Sequence, residues 1–505
     1  MTVNAPNTLG KKVWSLNYHE VLSDPRVMKQ AEALNEAGYD VSVYCDQPRG
    51  MASRETVEGI RICRFNWRNF EVLSDRSARD FSFLGDSYKP FENHFEELVK
   101  CSLELRRLRE SNADLGKLLT RPEYFKSYYR DMPASERKLR HRSYRRNKLK
   151  RRFAAMVSRK HKRVADVIRE MERHYLKARR VFVEMHQGRA LVFAANIAKE
   201  EMRDRPDFIH AHDIYTLPAG VMLACRFGAR LIYDAHELET ARATNMGPNG
   251  QEVIEQFEAR CFDHTDAIVT VSDSIAALYG ARFPKRPPTV VMNAPLIAMT
   301  PAEARSQGID IRSRVGLAED VPLFVYTGGV QREHRGLDKV VAALGRLPEC
   351  HLVTLGPRHH DNDNWLREHA SAADMADRLH MFESVPSSMV VPVISSATAA
   401  IVPIQGVSLS YQLAMPNKLF EAAAAKLPIL VSDLPDMRRF VEELGNGIVM
   451  DHTSPEGIET AIRQFLSDPS ACRVGTSAQD VFDTKYDWPV QVKKLLALYE
   501  ELGCS

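Results

Sequence analysis

Two histidine-containing motifs in the first half of the chain have the residue types needed for acid–base chemistry. "HAHD" ends with His212 and Asp213, and "DAHE" ends with His236 and Glu237. Each follows an aliphatic run typical of a buried strand, and catalytic groups gather at strand ends in open parallel sheets. Imidazoles and carboxylates there can bind hydroxyl groups or accept a proton. A purely structural role and a metal-ligand role remain open alternatives for both motifs.

A lysine near a helix start in the second half could bind an anion. In "MPNKLFEAAAAKLPILVSD" a helix is expected to begin near Pro416, since proline is tolerated in the first turn. Lys418 then lies where the helix dipole favours anions, and free N–H groups with an ammonium form a phosphate site. Glu421, one turn after Asn417, could accept hydrogen bonds from a ribose. The alternative is an ordinary surface lysine on an amphipathic helix.

A glycine turn with basic residues offers a second anion site. In "YTGGVQREHRGLDKVVAAL" a predicted strand ends at Gly328 and Gly329, and a helix begins near Gly336. Glycines let a diphosphate approach the backbone, and Arg332 and Arg335 could neutralise it. The pattern is neither G-x-G-x-x-G nor a Walker loop, which counts against a dinucleotide dehydrogenase or a kinase. A tight turn with solvated charges is the alternative.

The elements that position these residues alternate between short aliphatic strands and amphipathic helices. This rhythm predicts parallel sheets with helices on both faces. One series of strands begins at residue 11 and a second near residue 320, separated by a polar stretch at 297–318. We therefore expect two doubly wound, Rossmann-like α/β domains, 1–300 and 301–482, facing across a cleft that holds the ligand.

The alternation stops between residues 70 and 205, where the chain is charged, helix-prone and poor in glycine. We expect a helical insertion in the first domain. Its centre, residues 137–163, has fourteen lysines and arginines and no acidic residue. Such a run faces solvent or a partner. An anionic membrane surface is the favoured partner; sparse aromatics argue against nucleic acid, and a solvated or self-associating helical arm remains the alternative.

Composition sets the broad class. The chain has 505 residues, 44% hydrophobic and 27% charged, with a net charge of +3, which is ordinary for a globular protein. It has no apolar run of membrane-spanning length, and its first residues lack the apolar stretch of a secretory signal. Its eight cysteines form no C-x-x-C motif, so neither a disulfide framework nor a zinc site is indicated. These features predict a cytoplasmic protein.

Seven segments, taken in order, resemble markers of glycosyltransferase family 4, which has the GT-B architecture. They are "SDPRVMKQAEALNEAGYDVSVY", "PDFIHAHDIYTLPAG", "LIYDAHE", "AIVTVSDSIA", "VVMNAP", "YTGGVQREHRGLDKVVAAL" and "MPNKLFEAAAAKLPILVSDLPDMRRFVEELGNGIVMD". "YDWPVQVKKLLALYEEL" resembles the family's last helices, so residues 483–505 are expected to cross back to the first domain. The resemblance covers nearly the whole chain except residues 70–205.

The resemblance implies a retaining transfer of a sugar from a UDP-, GDP- or ADP-sugar to a glycan or lipid-linked acceptor. No metal and no cofactor are expected. The pathway implied is cell-surface polysaccharide or glycolipid synthesis, in the cytoplasm or at the inner face of the membrane. The implied catalytic residues are His212, Asp213, Arg335 and Lys418.

The resemblance also assigns binding residues. The nucleotide-sugar site comprises Gly328, Gly329, Arg332, Arg335, Asn417, Lys418 and Glu421. Arg335 stands for the family's lysine, and Glu421 matches the second of two family glutamates. Leu413 occupies the place of the first glutamate, and Val330 stands where the family has an arginine. The acceptor side comprises Asp24, Arg26, His236 and Glu237.

Two other functions compete with this one. A catalytically weak GT-B subunit that scaffolds a polysaccharide assembly complex would explain Leu413 and the insertion. A sugar-nucleotide epimerase has a related two-domain fold, but the ordered markers around Glu421 argue against it. The donor base and sugar, the acceptor and the oligomeric state stay open at this level.

Overall fold

The computed structural model describes residues 10–48, 50–65, 104, 107–113, 155–169, 190, 192–199, 201, 204–242, 255, 258–472 and 476–504. The chain divides into two compact units. One comprises Met1–Phe65, Arg203–Asn245 and Ile254–Ser505, and the other Asn66–Met202 and Met246–Val253. Both sheets belong to the first unit, so this division does not test the predicted boundaries at 300 and 482, which stay predictions.

Two mainly parallel sheets are built from the described strands. The front sheet has the order β3-β4-β2-β1-β5-β6-β7-β8, and the rear sheet has the order β11-β10-β9-β12-β13-β14. Among the strands that the structure describes, only β3 and β4 pair antiparallel. The strands are β1 Lys12–Leu16, β2 Asp40–Asp46, β3 Arg54–Val57, β4 Ile60–Phe65, β5 Phe208–His212, β6 Arg230–Ala235, β7 Ala267–Thr270, β8 Thr289–Val290, β9 Leu323–Thr327, β10 His351–Leu355, β11 Leu379–Phe382, β12 Ala399–Val402, β13 Ile429–Ser432 and β14 Gly447–Met450.

Helices lie between most of the consecutive parallel strands, since parallel pairing needs a crossover connection. The α-helices of the first unit are α1 Pro25–Glu36, α2 Asp213–Phe227, α3 Asp273–Arg282, α4 Pro301–Ser306, α5 Ile311–Val315, α6 Leu337–Gly345, α7 His360–Ala372, α8 Val390–Ile394, α9 Leu409–Gln412, α10 Asn417–Ala424, α11 Pro435–Leu444, α12 Pro455–Ser467, α13 Thr476–Val481 and α14 Trp488–Cys504.

Local sequence explains where α1 begins and ends. Asp24 caps the helix by accepting hydrogen bonds from the N–H groups of Arg26 and Val27 at 3.2 and 3.4 Å. Pro25 occupies the first helical position, where a missing N–H costs nothing. The chain leaves the helix through Gly38, whose φ of 94° favours glycine. The helix thus begins and ends where the local sequence favours it.

The last helix packs on the front sheet. Trp488, Leu495, Leu498 and Tyr499 of α14 are buried in the same apolar core as β1, β2 and α1. Gln491, fully buried on the same helix, accepts a hydrogen bond from the Met292 N–H at 3.0 Å. The C-terminal helix therefore lies against the front sheet, and the predicted domain bounds 483–505 stay a prediction.

Both predicted series of strands form mainly parallel sheets, although β8 is only two residues long. The β3–β4 hairpin was not predicted, because its strand Arg54–Val57 is half exposed and has no apolar run. The insertion lies in the chain between β4 and β5. Its described residues 104, 107–113, 155–169, 190 and 192–199 are helical, as predicted.

Candidate active site

The turn after β9 shapes the rear half of the candidate site. Gly328 has a φ of 118°, a conformation that residues with a side chain rarely adopt. A Cβ added there would lie 3.5 Å from the Lys418 ammonium nitrogen and 3.7 Å from the Tyr326 hydroxyl. The bare backbone of Gly328 therefore faces a cation directly, with no side chain between them.

Helix α10 carries Lys418 in its first turn. Leu419, Phe420, Ala422 and Ala423 are buried in the rear core, which anchors the helix. Burial of a large apolar side chain such as Phe420 contributes about 2 kcal/mol. Pro416 at the N-cap provides no side-chain hydrogen bond, so the helix start has no side-chain cap. Lys418 and Glu421 are three positions apart and thus share the other face.

Lys418 is half-buried, and its charged neighbours are Arg335 and Glu421. Its Nζ lies 4.7 Å from the centre of the Tyr326 ring, a cation–π contact. Burial, and then the neighbouring charge of Arg335, lower the pKa of Lys418 to about 7, while Glu421 opposes the shift. A ligand anion would favour the charged ammonium and so reverse part of this shift.

Glu421 is oriented by the end of β9. Its Oε2 accepts a hydrogen bond from the Thr327 hydroxyl at 2.7 Å. Burial raises the pKa of Glu421, and the Thr327 hydrogen bond and the charges of Lys418 and Lys29 oppose that rise. The carboxylate keeps a second oxygen that can accept hydrogen bonds from a ligand hydroxyl.

The two predicted arginines behave differently. Arg335 donates to Gln331 Oε1 at 3.1 Å and acts electrostatically on both Lys418 and Glu237. The charge of Arg335 therefore acts on a lysine of the rear half and on a glutamate of the front half. Arg332 is exposed and donates to the Asp361 carbonyl at 3.0 Å, so the structure turns it toward the start of α7. Gly329 faces the carbonyl of Pro357, with 3.8 Å to an added Cβ.

Two hydrogen bonds beside α10 link residues that follow strands of the front sheet to residues near the start of this helix. Asn417 accepts a hydrogen bond from Asn293 at 2.8 Å through its side-chain oxygen. The Leu413 carbonyl accepts one from the Ser272 hydroxyl at 3.4 Å. Leu413 ends the short helix α9 and is partly exposed. Groups from the front half thus reach the start of helix α10.

The front half contributes a network of imidazoles and carboxylates. His212 ends β5, and Asp234 pairs with it in register on β6. His212 Nδ1 lies 3.1 Å from His236 Nε2, and its Nε2 lies 3.1 Å from Ser15 Oγ. His236 Nδ1 faces Asp213 Oδ2 at 3.5 Å. The parallel register therefore brings both predicted histidine motifs together.

Asp234 is the buried centre of this network. Arg26 donates to its two oxygens at 3.0 and 2.8 Å, and Gln30 donates at 2.9 Å. Burial opposes ionisation, but Arg26 and His236 hold the pKa of Asp234 well below its usual range. His210, which is stacked on His212 at 4.4 Å between ring centres, hydrogen-bonds the Tyr499 hydroxyl at 2.9 Å.

The imidazoles of this network differ in charge. Burial lowers the pKa of His212 well below its usual value, with His210 adding to the effect. For His236, burial is outweighed by Asp213 and Asp234, which raise its pKa to about 9. Asp213 itself has a φ of 60°, an uncommon conformation for a residue with a side chain. Strain of this kind is characteristic of functional sites.

Ligand atoms of His210, His212 and Asp234 all lie within 4.8 Å of one another, a spacing that a metal ion could use. Arg26 and Gln30 already donate to Asp234, whereas the buried His210 Nε2 has no hydrogen-bond partner among the described residues. The sequence-based expectation of a metal-free site stays a prediction.

Two family models match the chain. A model described as "Glycosyl transferase 4-like domain" matches residues 168–294, and one described as "Glycosyl transferases group 1" matches residues 321–468. Together they cover more than half of the chain. The chain belongs to the GT-B glycosyltransferases of the family 4 type.

Two curated relatives resemble this glycosyltransferase in sequence. Glycogen synthase of Mycobacterium tuberculosis is 25% identical over 313 residues, which cover 60% of this chain and 71% of the relative. D-inositol 3-phosphate glycosyltransferase of Xylanimonas cellulosilytica is 24% identical over 336 residues, covering 62% and 77%. These similarities support a transferase without specifying its substrates.

Solved structures resemble the glycosyltransferase in fold. Sucrose-phosphate synthase (tll1590) of Thermosynechococcus elongatus has a TM-score of 0.64 at 14% identity, covering 98% of this chain and 99% of that one. HepE of Anabaena, solved in complex with UDP-glucose, has a TM-score of 0.50 at 13% identity, covering 61% and 82%. The predicted GT-B fold is thereby confirmed.

Two predicted acceptor-side residues of the glycosyltransferase have contacts that the sequence did not suggest. Asp24 caps α1, and Arg26 is buried between Asp234 and the Val291 carbonyl, to which it donates at 2.9 Å. Both thus have a structural role in the front half. Glu237 is exposed and pairs with Arg242 at 3.0 Å. Their contact with an acceptor stays a prediction.

Sequence reasoning missed several residues that build the glycosyltransferase site. Ser15 and Thr327 are small hydroxyl residues at strand ends, and Tyr326 carries the ring beneath Lys418. Lys29 is buried, donates to the Ala294 carbonyl and lies 4.4 Å from the Trp488 ring centre. The signal that could have found Lys29 was its place on the apolar face of α1.

The predicted basic surface at 137–163 lies outside the described residues up to 154. Among the described ones, Arg159, Lys160, Lys162 and Arg163 are exposed on a helical segment, residues 155–169. A search of the described helices for one long and apolar enough to traverse a bilayer found none. The membrane-surface partner stays a prediction.

Proposed function

We propose that this glycosyltransferase transfers a sugar, with retention, from a nucleotide-diphosphate sugar to a glycan or lipid-linked acceptor. The observation that carries this proposal is the bare Gly328 backbone facing the Lys418 ammonium, with Glu421 one turn further on α10. The uncapped start of α10 and a cation together suit a diphosphate, while the Gly328 N–H itself donates to the Leu355 carbonyl at 2.8 Å and leaves the glycine to provide close approach only. A carboxylate beside them suits a ribose.

The residues of the rear half have complementary roles in the proposal. The diphosphate lies against Gly328 and Gly329, and Lys418 and Arg335 neutralise it. Glu421 accepts hydrogen bonds from the ribose, and Asn417 lies beside the sugar. As the sugar–phosphate bond breaks, the cations stabilise the growing negative charge. One such interaction in an enzyme site is worth about 3 kcal/mol.

The front half receives the acceptor in the proposal. The acceptor oxygen attacks the sugar from the face that the diphosphate leaves, so the anomeric configuration is retained. The acceptor hydroxyl proton passes to the departing diphosphate. His212, Asp213 and His236 lie at the strand ends on this side, and the charge of Glu237 is influenced by Arg335 across the site. No metal takes part.

The proposed setting is the cytoplasm, with polysaccharide or glycolipid synthesis at the inner face of the membrane. The cationic run 137–163 would hold the enzyme on anionic lipid, since each cation near such a surface contributes about 1 kcal/mol. Sedimentation with phosphatidylglycerol vesicles tests this. Failure to sediment at low salt would remove the membrane partner and leave the reaction untouched.

A thermal-shift screen with EDTA tests the donor proposal. UDP-, GDP- and ADP-glucose are each added to the full chain, with the UDP-sugar first because HepE was solved with UDP-glucose. One of them should raise the unfolding temperature by mass action. The shift should be lost in Lys418→Ala and kept in Lys493→Ala, which removes an exposed lysine on α14. Equal shifts in both variants would contradict the proposal.

The second candidate is a GT-B subunit that binds a sugar nucleotide and scaffolds an assembly complex. The observation that favours it is the apolar Leu413 where the family has a sugar-binding glutamate. Release of free sugar from the bound sugar nucleotide, without any acceptor, distinguishes the two. Binding without any hydrolysis over a day favours the scaffold.

A further inference from the structure

The segment 291–294, which follows β8 and leads toward the rear half, is held through its backbone by two helices. From α1, Arg26 donates to its first carbonyl at 2.9 Å, and Lys29 donates to its last carbonyl. From α14, Gln491 accepts the N–H of its second residue at 3.0 Å. All three side chains are buried. These contacts fix the segment without using the side chain of its third residue, Asn293.

Asn293 reaches from this segment to the first residue of α10. Its Nδ2 donates to Asn417 Oδ1 at 2.8 Å. Asn417 is exposed and lies next to Lys418, and its side chain makes no other hydrogen bond to the residues that the structure describes. The oxygen of the Asn417 amide is therefore bound by the front half, and its two N–H groups are left for a ligand.

The loop that leads into α10 contacts the front half at its other end as well. Ser272, the N-cap of α3, donates from its hydroxyl to the Leu413 carbonyl at 3.4 Å. Met415, between the two contacts, is buried in the rear core. The loop 413–417 is thus held from the front half at both ends and from the rear half in the middle.

The second polar atom of the Asn293 side chain indicates a role beyond stability. Asn293 Oδ1 is enclosed and has no hydrogen-bond partner among the described residues. An enclosed acceptor without a partner destabilises the folded state, and each such group in a native structure needs an explanation. Because backbone contacts already fix the segment, the explanation lies in what the Asn293 amide does to Asn417.

We propose that Asn293 is a positioning residue of the donor site, which holds the Asn417 amide so that its N–H groups face an oxygen of the sugar nucleotide. This inference rests on the proposed function. It adds a residue of the front half to a site that the sequence assigned to the rear half. The donor site is then complete only when segment 291–294 lies against α10.

Calorimetry with whichever of UDP-, GDP- or ADP-glucose stabilises the wild type tests the effect on the donor. Asn293→Ala should raise the Kd roughly 5- to 10-fold, because the Asn417 amide loses its fixed orientation. The free energy of unfolding in urea should stay the same or rise, since the enclosed oxygen is removed together with the hydrogen bond. A loss of stability with an unchanged Kd would show a purely structural role and overturn the proposal.

A double-mutant cycle tests whether Asn293 acts through Asn417. Asn417→Ala should weaken binding at least as much as Asn293→Ala, because it removes the group that contacts the ligand. The double variant should bind no more weakly than Asn417→Ala alone. Additive losses would show that Asn293 acts on the donor by another route and would refute the assignment.

Hydrogen exchange in the unliganded full chain tests the positioning without any sugar nucleotide. The backbone amides of residues 413–421 should exchange faster in Asn293→Ala than in the wild type, because the loop has lost one of its contacts with the front half. Unchanged exchange would contradict the proposal. If the wild type binds no sugar nucleotide, the proposed function fails, and the exchange rates still decide whether Asn293 holds the loop.

Asn35→Ala is the matched control for these measurements. Asn35 is half-buried like Asn293, and its amide donates to the Glu58 carbonyl at 3.4 Å, in the turn between β3 and β4. This turn lies at the opposite edge of the front sheet from β8. The Kd of the sugar nucleotide and the exchange of residues 413–421 should therefore equal those of the wild type. Equal changes in Asn35→Ala and Asn293→Ala would refute a specific role for Asn293.

Discussion

At the scale of single residues, the cations of the candidate site are destabilised before any ligand binds. Lys418 and Arg335 repel each other, and Lys418 is removed from water by Tyr326 and α10. Such an arrangement costs free energy in the empty protein. The same arrangement makes the site attractive to a diphosphate, because the ligand supplies the missing negative charge.

Removing either cation should therefore slow the reaction more than it disturbs folding. Lys418→Ala and Arg335→Ala should each lower kcat by a factor corresponding to about 3 kcal/mol, with the unfolding temperature nearly unchanged. Steady-state hydrolysis of the preferred sugar nucleotide measures this. Arg367→Ala, which removes an exposed arginine on α7, is the control. Full activity in both site variants would show that the diphosphate binds elsewhere.

The depressed pKa of Lys418 also predicts how donor affinity depends on pH. Below about pH 7 the ammonium is charged in the free protein, and affinity is at its maximum. As the pH rises above 7, binding must take up a proton, so affinity falls. A sugar nucleotide is a suitable probe because both of its phosphates are esterified and do not titrate in this range.

Isothermal titration calorimetry between pH 6 and 9 measures this dependence. Lys418→Arg should keep most of the affinity and lose the pH dependence, because arginine stays charged throughout. An unchanged pH dependence in Lys418→Arg would assign the titrating group to another residue.

At the scale of elements, the turn from β9 to the basic loop depends on one glycine. Gly328 has a φ of 118°, and its free face is directed at Lys418. The β9 strand before it is fully buried, so the turn cannot shift to relieve strain. The positive φ of Gly328 thus occurs on the surface that we propose to bind the diphosphate.

Gly328→Ala should affect both folding and binding. The strained backbone should lower the free energy of unfolding by about 1–3 kcal/mol. The new methyl group, 3.5 Å from the lysine nitrogen, should also weaken sugar-nucleotide binding. Gly308→Ala is the matched control, since Gly308 has a φ of 64° with open space around it. Urea unfolding and calorimetry separate the effects: Gly308→Ala should lose stability only.

At the scale of the whole first unit, α14 connects the end of the chain to the front core. Leu495 on this helix is fully buried, whereas its neighbour Leu496 is only partly buried against the same core. Lys29 links α1 to Trp488 of α14 and to the Ala294 carbonyl, which follows β8. The segments that join the two sheets thus meet on α1.

Two adjacent leucines test this packing. Leu495→Ala should lower the free energy of unfolding by about 2–5 kcal/mol, because it leaves a cavity in the core. Leu496→Ala should cost less, since its side chain keeps contact with water in the native state. Urea unfolding followed by tryptophan fluorescence measures both. Equal losses of unfolding free energy in the two variants would contradict the packing of α14 through Leu495.

Much of the rear half could be predicted from local sequence. Gly328, Lys418 and Glu421 lie next to strand ends and helix starts, and both are marked by glycine, proline and apolar periodicity. The direction of Arg332 could not be predicted, because it depends on a carbonyl at the start of α7. Local pattern locates a residue along the chain but does not determine what its side chain contacts.

The front half shows the same limit more strongly. Both histidine motifs were expected at strand ends, and the register of β5 with β6 confirms that they are adjacent. The role of Arg26 was not predictable, because its partner Asp234 is over two hundred positions away in the chain. Likewise, Ser15 acquires its role only when β1 pairs with β5.

The sequence alone therefore determined the alternation of strands and helices, the glycine turn and the family, because these depend on short-range periodicity and ordered motifs. Tertiary structure alone decided which of two histidines has a raised pKa and which cations share a site. Burial and charge act between residues that are distant in the chain, so their effects on His212, His236 and Lys418 arise only after the sheets have formed.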